Sequence, residues 1–303
     1  MESVSSSPGL LLDAWTPSFP ASTAFHYTGA TGLLGMLQSH QIWAGSPAAL
    51  NDTAEVAYGR RRVWNRWHEI KEHHSDADRS HVETALHGYL AQFGDGGVYM
   101  FSASQTADLA NQWLNYTTGD SYCVSFDMSQ LLVAEPTGNL SERRTPMDRL
   151  APAIPGWFEV HYGREKQNEL IDELIALIVA SEGGLSFITE MRQLYTLVCT
   201  LKDERFAAEN EVRYLWSRGS DEIERFRVSG GKIVAYAALT AGAVRRAPSG
   251  SGVFSSTGGR LPITSVMVGP RASPSAIVVT RRALDTYGYG DVELTQSDIA
   301  LRG

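Results

Sequence analysis

The sequence predicts an α+β protein, and two features of the chain carry that reading. Its middle holds long stretches with apolar residues at helical spacing, while its C-terminal third switches to short runs of strand character. Together they describe a strand-rich core with a helical block inserted in the middle. Of the 303 residues, 43% are hydrophobic and 20% are charged, a balance that sustains a packed core and excludes dominant disorder.

The elements follow in order. Residues 1–22 are rich in Ser, Pro and small side chains and read as a loose arm, ahead of a single domain over 23–303. Residues 24–28 read as a strand, 31–38 as a short helix and 41–44 as a second extended piece. Asp52 and Glu55 have the spacing of a capping box, and Val56, Val63, Trp67 and Ile70 then fall on one helical face. A second helix over 78–93 ends at Gly94, Gly96 and Gly97. These helices form an insertion near 53–93. Residues 98–102 read as a strand, 106–116 as a helix and 122–126 as a strand. Residues 135–155, with Pro136, Pro146, Pro152 and Pro155, read as a connector. Helices over 164–180 and 185–201 make the second insertion, near 164–201. Strands are expected at 211–216, 223–228, 232–238, 263–268 and 291–294, with a helix over 273–287. Residues 240–259 are rich in Gly, Ser and Ala and read as a long loop.

The net charge of −8 argues against a generic nucleic-acid binder, which carries a basic surplus. Arg60–Arg62, Arg143–Arg144, Arg245–Arg246 and Arg281–Arg282 read as solvated helix faces and loop ends. No apolar run reaches the roughly 18 residues a membrane span needs, and the first residues lack the pattern of a signal peptide. A cytoplasmic protein with no membrane association is expected. Cys123 and Cys199, both in apolar sequence, are expected to be buried free thiols, too few for a zinc site. His68, His73, His74, His81 and His87 cluster, with Glu69/His73 and Glu83/His87 four apart. A solvated, charged helix face accounts for them, and no metal is expected. Phosphate loop, nucleophile elbow, zinc helix and dinucleotide fingerprint are all absent.

Three constellations remain. In Phe25-His26-Tyr27-Thr28, alternation puts His26 and Thr28 on one face and Phe25 and Tyr27 on the other. His26 is either a satisfied strand histidine or a ligand-binding one. Phe101-Ser102-Ala103-Ser104, followed by Trp113 and Tyr116, ends a strand in two hydroxyls that line a cleft or cap the next helix. Glu209-Asn210-Glu211-Val212-Arg213 brings two carboxylates onto one side. Their repulsion is expected to raise one pKa. The alternative is a polar strand edge with one Glu paired to Arg213.

In their order and spacing, these segments resemble a bacterial family catalogued as domain of unknown function 2971. Leu50-Asn51-Asp52 with Glu55, the strand at 122–127, Phe206 and Val268-Gly269-Pro270 extend the likeness over most of 24–301. The opening His-Tyr-Thr is similar to that of DNA-modifying ADP-ribosyltransferase toxins. The resemblance implies an ADP-ribosyltransferase-like split β-sheet core with NAD as substrate. Its first-strand histidine, second-strand hydroxyl and later glutamate fall on His26, Ser102 or Ser104, and Glu211. Glu209-x-Glu211 resembles the paired glutamates of one branch of that fold. Glu211 would stabilise the positive charge left on the ribose as nicotinamide departs, and Glu209 would activate the acceptor. His26 and Thr28 would hold NAD on the ribose side, with Tyr27, Trp113 or Tyr116 stacking on its rings. The acceptor would be a macromolecule, protein or nucleic acid, in a toxin or phage-defence setting with an antitoxin or defence partner. A binding module without turnover and an NAD glycohydrolase are the alternatives.

Overall fold

The computed structural model describes residues 22–46, 54–92, 98–115, 119–135, 155–181, 186–217, 224–229, 231–246 and 252–300. Among them, strand β1 (Thr23–Gly29) leads into helix α1 (Ala30–Ser39) and strand β2 (Ile42–Gly45). Helices α2 (Ala54–Ile70) and α3 (Asp76–Gln92) follow, then β3 (Val98–Ser104), the short helix α4 (Ala110–Asn115), β4 (Ser121–Asp127), β5 (Leu132–Ala134) and β6 (Gly156–Glu159). Helices α5 (Arg164–Ala180) and α6 (Ser186–Thr200) precede β7 (Glu211–Ser217), β8 (Glu224–Ser229), β9 (Lys232–Arg246), β10 (Gly252–Ser256) and β11 (Ile263–Val268). The described chain closes with α7 (Ala276–Thr286) and β12 (Glu293–Gln296).

The strands form one 12-stranded mixed sheet running β10-β9-β2-β3-β1-β4-β11-β12, with β5 and β8 on β9 and β6 and β7 extending from β3. Among the described strands, β11 and β12 pair in parallel and the other ladders are antiparallel. The chain is therefore a mixed α and β protein, in line with the α+β expectation. Helices cover both faces. On one, α1 and α7 bury Leu33, Leu37 and Leu284 against Tyr99, Phe101 and Tyr214. On the other, α2, α3, α5 and α6 bury Val63, Trp67, Leu86, Ile171 and Leu197 against Val98, Met100 and Leu215. Alternation along β3 and β7 produces the two cores, because successive side chains point to opposite faces. Trp67 and Val63, both fully buried, occupy the face that their spacing selects.

Several expectations are corrected. The loop expected over 240–259 is largely sheet: β9 runs on to Arg246 and turns back as β10, with Gly252 opposite Arg246. Its small residues allow close packing, since a Cβ on Gly242 would lie 2.2 Å from Val133 of β5. The helix expected from 106 starts at Ala110, because Asp108 takes a left-handed backbone at φ 54°. Residues 156–159, between the expected connector and the expected helix, for which the sequence predicts no element, form a strand on β7. Arg62 is not on a solvated face. It is buried, donating to Gln167 and Asn168 of α5 at 2.9 and 2.6 Å. Asp52, Gly94, Gly96, Gly97, Tyr116, Arg143 and Arg144 lie outside the described residues. Cys123 and Cys199 are buried free thiols. No helix among the described residues is long and apolar enough to cross a membrane.

Candidate functional site

The site forms where the sheet opens between β1 and β3. β1 pairs with β4 along its whole length, yet it meets β3 at one register position, Phe25 opposite Ser104. β3 instead pairs with β7 over seven positions, which sets Ser102 opposite Arg213 and Ser104 opposite Glu211. Paired residues share a face, so Ser102, Ser104, Glu211 and Arg213 all point to the helical insertion. The gap beside β1 becomes a cleft of roughly 380 Å³, lined by His26, Tyr27, Ser102, Ser104, Glu209 and Glu211, with Glu55 and Lys202 from the insertion side. The volume lies at the lower end of small-ligand pockets.

His26 reaches the cleft from the other side of the sheet. Its ring packs on Phe101, 4.4 Å between centroids, and Phe101 alternates with Ser102. The Nδ1 atom lies 2.9 Å from the Ser102 carbonyl oxygen. A carbonyl only accepts, so Nδ1 carries the proton and Nε2 is left as an acceptor. Burial pushes the ring below the usual imidazole range, against the opposing effect of the Ser102 hydrogen bond. A neutral imidazole accepting a ligand hydroxyl through Nε2 is the chemistry this arrangement allows.

The floor is a cluster of five charged side chains. Lys202 Nζ lies 3.0, 2.7 and 2.9 Å from carboxylate oxygens of Glu55, Glu209 and Glu211. Arg213 contacts Glu55 and holds both Glu211 oxygens, and its third nitrogen donates to the Cys199 carbonyl at 2.6 Å. Three carboxylates against two cations give a formal charge of −1. The expected rise in a glutamate pKa from repulsion is overturned for Glu211. Burial pushes its carboxyl up, but Arg213, Lys202 and the Ser102 hydroxyl outweigh that and hold it at about 2. Lys202 stands between the two glutamates, so attraction to a shared cation replaces repulsion.

Local sequence explains how these groups arrive. Asp203 caps a 3-10 helix, Glu204–Glu209, accepting from the Arg205 amide, and Asn210 ends it with a left-handed backbone at φ 45°. That turn delivers Glu209 and Phe206 to the cleft, and Lys202 lies over the Phe206 ring. Gln167, fully buried, accepts from Arg62 and donates to the Lys202 and His161 carbonyls, fixing the segment ahead of the turn. The Tyr162 hydroxyl accepts from the Glu211 amide at 2.9 Å. Glu55, read as half of a capping box, spends its carboxylate on Lys202 and Arg213 instead. The insertion therefore supplies part of the site's floor.

The other candidates play supporting parts. The Ser104 hydroxyl donates to the Glu209 carbonyl and accepts from the Thr106 amide, pinning the strand end. Tyr27 borders the cleft, but its hydroxyl accepts from the Leu109 amide at 2.8 Å. Trp113 lies behind Tyr27 in a T-shaped contact, its indole nitrogen donating to Asp108, and does not border the cleft. Thr28 also lies off the cleft, against the first turn of α1 at Gly32. Lys202, Tyr162, Gln167 and Trp43 were not singled out by the sequence. Lys202 sits in Lys202-Asp203-Glu204-Arg205, a run indistinguishable from a solvated loop. Among the described residues, no cluster of His, Cys, Asp and Glu is arranged to hold a metal ion.

Fold and site together define a mixed α and β protein with an acidic cleft at an opening in its sheet. No protein-family model, curated protein or solved structure matches this chain.

Proposed function

We propose that the cleft binds NAD and that the protein is an ADP-ribosyltransferase-like enzyme. It would cleave the nicotinamide bond and pass ADP-ribose to a macromolecular acceptor. One observation carries the reading: His26, Ser102, Glu209 and Glu211, from three strands and a turn distant in sequence, border the same cleft. The cleft's volume suits the nicotinamide–ribose half of the dinucleotide. A formally negative floor suits a reaction in which positive charge develops on ribose C1 and its ring oxygen. Glu211, ionised at neutral pH, supplies that field. Glu209 uses one oxygen on Lys202 and has the other for the acceptor's proton. Neutral His26 offers Nε2 to a ribose hydroxyl.

One observation favours a second reading, a ligand-binding module without turnover. Both Glu211 oxygens are held by Arg213, with Lys202 on one of them. A carboxylate so engaged serves the fold before it serves a substrate. Incubating the purified protein with NAD separates the readings. Nicotinamide release that depends on an added macromolecule supports transfer, and release without one supports a glycohydrolase. Saturable NAD binding with no release supports the binding module, and no binding at millimolar NAD removes NAD from the account.

A further inference from the structure

The cleft is polar in charge from floor to mouth. Its floor carries the acidic cluster, with Glu211 and Arg213 side chains 7% and 1% exposed. Its outer wall is built differently. Trp43 of β2 and Arg227 of β8 both border the cleft, and Trp43 is 48% exposed, which marks this end as the mouth. Alternation along β8 turns Phe226 and Val228 out to solvent, 64% and 74% exposed, and so turns Arg227 to the other face, beside Trp43. The guanidinium lies over the Trp43 indole, 5.4 Å from its centroid. Tyr236 braces the same ring at 4.8 Å.

Arg227 differs from the arginine of the floor in one respect. Arg213 is fully engaged by Glu55, Glu211 and the Cys199 carbonyl, whereas no carboxylate among the described residues pairs with Arg227, and the Arg227 Nε is buried without a hydrogen-bond partner. A buried, unpaired guanidinium nitrogen costs free energy unless a ligand satisfies it. A stacked guanidinium keeps its in-plane N–H groups free, and that fork matches phosphate oxygens.

We propose that Arg227 and Trp43 form a subsite for the phosphate and base of a nucleoside diphosphate. Arg227 takes the phosphates, and the exposed part of the Trp43 indole stacks on the base. This deepens the NAD reading and rests on it for the choice of a dinucleotide: a cation-tolerant floor and an anion-binding mouth fit a ligand with a cationic ring at one end and a pyrophosphate beyond it.

Calorimetric titration with ADP and with adenosine tests the subsite without any turnover. Wild type is expected to bind ADP at least tenfold more tightly than adenosine, and raised salt should weaken ADP alone. R227Q should bring ADP down to the affinity of adenosine and leave adenosine unchanged, with the melting temperature confirming the fold. W43A should weaken both ligands. Equal binding of ADP and adenosine by wild type, absence of binding by either, or an unchanged ratio in R227Q would overturn the proposal. ADP binding that does not weaken with salt in wild type would overturn the proposal even if R227Q is unstable. If ADP binds through Arg227 while NAD is neither bound nor cleaved, the subsite stands and the NAD reading falls. If R227Q cleaves NAD with unchanged KM, the NAD reading stands and the subsite falls.

Discussion

Arg213 grips Glu211, two residues before it on the same strand, through two hydrogen bonds: Nε to Oε1 at 2.8 Å and Nη2 to Oε2 at 3.0 Å. The pair is buried and shared with Lys202, so removing one member leaves charge without compensation. E211Q is expected to lower stability by about 3 kcal/mol, the lower end for a broken buried pair, because Gln keeps acceptor capacity. The effect depends on pH. The Glu211 carboxyl titrates at about 2 in the folded chain, below its ordinary 4.5, so the ionised form is the stabilising one. Its contribution is complete above about pH 5 and fades as pH falls toward 2. Denaturant unfolding of wild type and E211Q should show two curves converging on acidification, and a constant gap would contradict the ion-pair role.

K202M removes the cation that three carboxylates share. The cluster changes from a formal −1 to −2, and Glu209 loses its cation partner. A loss of about 3–5 kcal/mol is expected at pH 7. The deficit should shrink toward pH 5 as carboxyl protonation relieves the repulsion. Melting temperatures across that range provide the check. A deficit that grows toward acid would mean that Lys202 is not what holds the carboxylates together.

Much of this was legible because local rules and tertiary packing agree. Helix α5 falls at 164–180 as its apolar spacing predicts, and β3, β4, β7 and β11 fall within about two residues of their predicted limits. His26, Ser102 and Glu211 stood out as polar groups on strands, where each needs a partner. What was hidden depended on contacts distant in sequence. Arg62 reads as one member of a basic run until Gln167, 105 positions on, accepts its hydrogen bond. Glu55 reads as a cap until Arg213 claims it, 158 positions on. Thr240-Ala241-Gly242-Ala243 reads as a loop because small residues favour neither period, and the close approach of Val133 explains the glycine at 242.

Gly59 tests how the insertion docks. A Cβ there would lie 2.2 Å from the Val198 carbonyl oxygen, where α2 crosses α6. On an isolated helix, Ala would be favoured over Gly by about 1 kcal/mol. Against a backbone that cannot step aside, overpacking costs roughly 1–3 kcal/mol. G59A is therefore expected to be destabilising overall, and to loosen Glu55 one turn earlier. A variant more stable than wild type would refute the close approach.

His26 should titrate below its ordinary 6.5, because burial disfavours the imidazolium. The neutral ring is then the form the fold accommodates, so its contribution is present above that value and is lost as pH falls below it. A ring NMR titration gives the midpoint directly, and a midpoint above 6.5 would contradict the buried, Nδ1-protonated assignment. H26A should weaken NAD binding and raise KM more than it lowers kcat, since a hydroxyl held alike in ground and transition states is lost from both. A fall in kcat at unchanged dissociation constant would move His26 into the chemical step.

Glu209 and Glu211 should separate in their consequences. Glu209 accepts from Lys202 through one oxygen at 2.7 Å, and its side chain is 15% exposed against 7% for Glu211. E209Q keeps an acceptor for Lys202, so its stability cost should be small, on the order of 1 kcal/mol. Its role in the proposed reaction is to take the acceptor's proton, a contribution of roughly 10²–10⁴ in rate. E209Q should therefore depress labelling of the acceptor strongly and nicotinamide release without acceptor only mildly. E211Q removes charge from the floor beneath the developing cation, and nicotinamide release should fall by about 10²–10³. Both variants are to be assayed where E211Q remains folded, near neutral pH and at low temperature, with circular dichroism alongside. Equal loss of release in both would collapse the division of roles. Full release in folded E211Q would leave Glu211 as Arg213's partner alone and move the chemistry, if any, to Glu209.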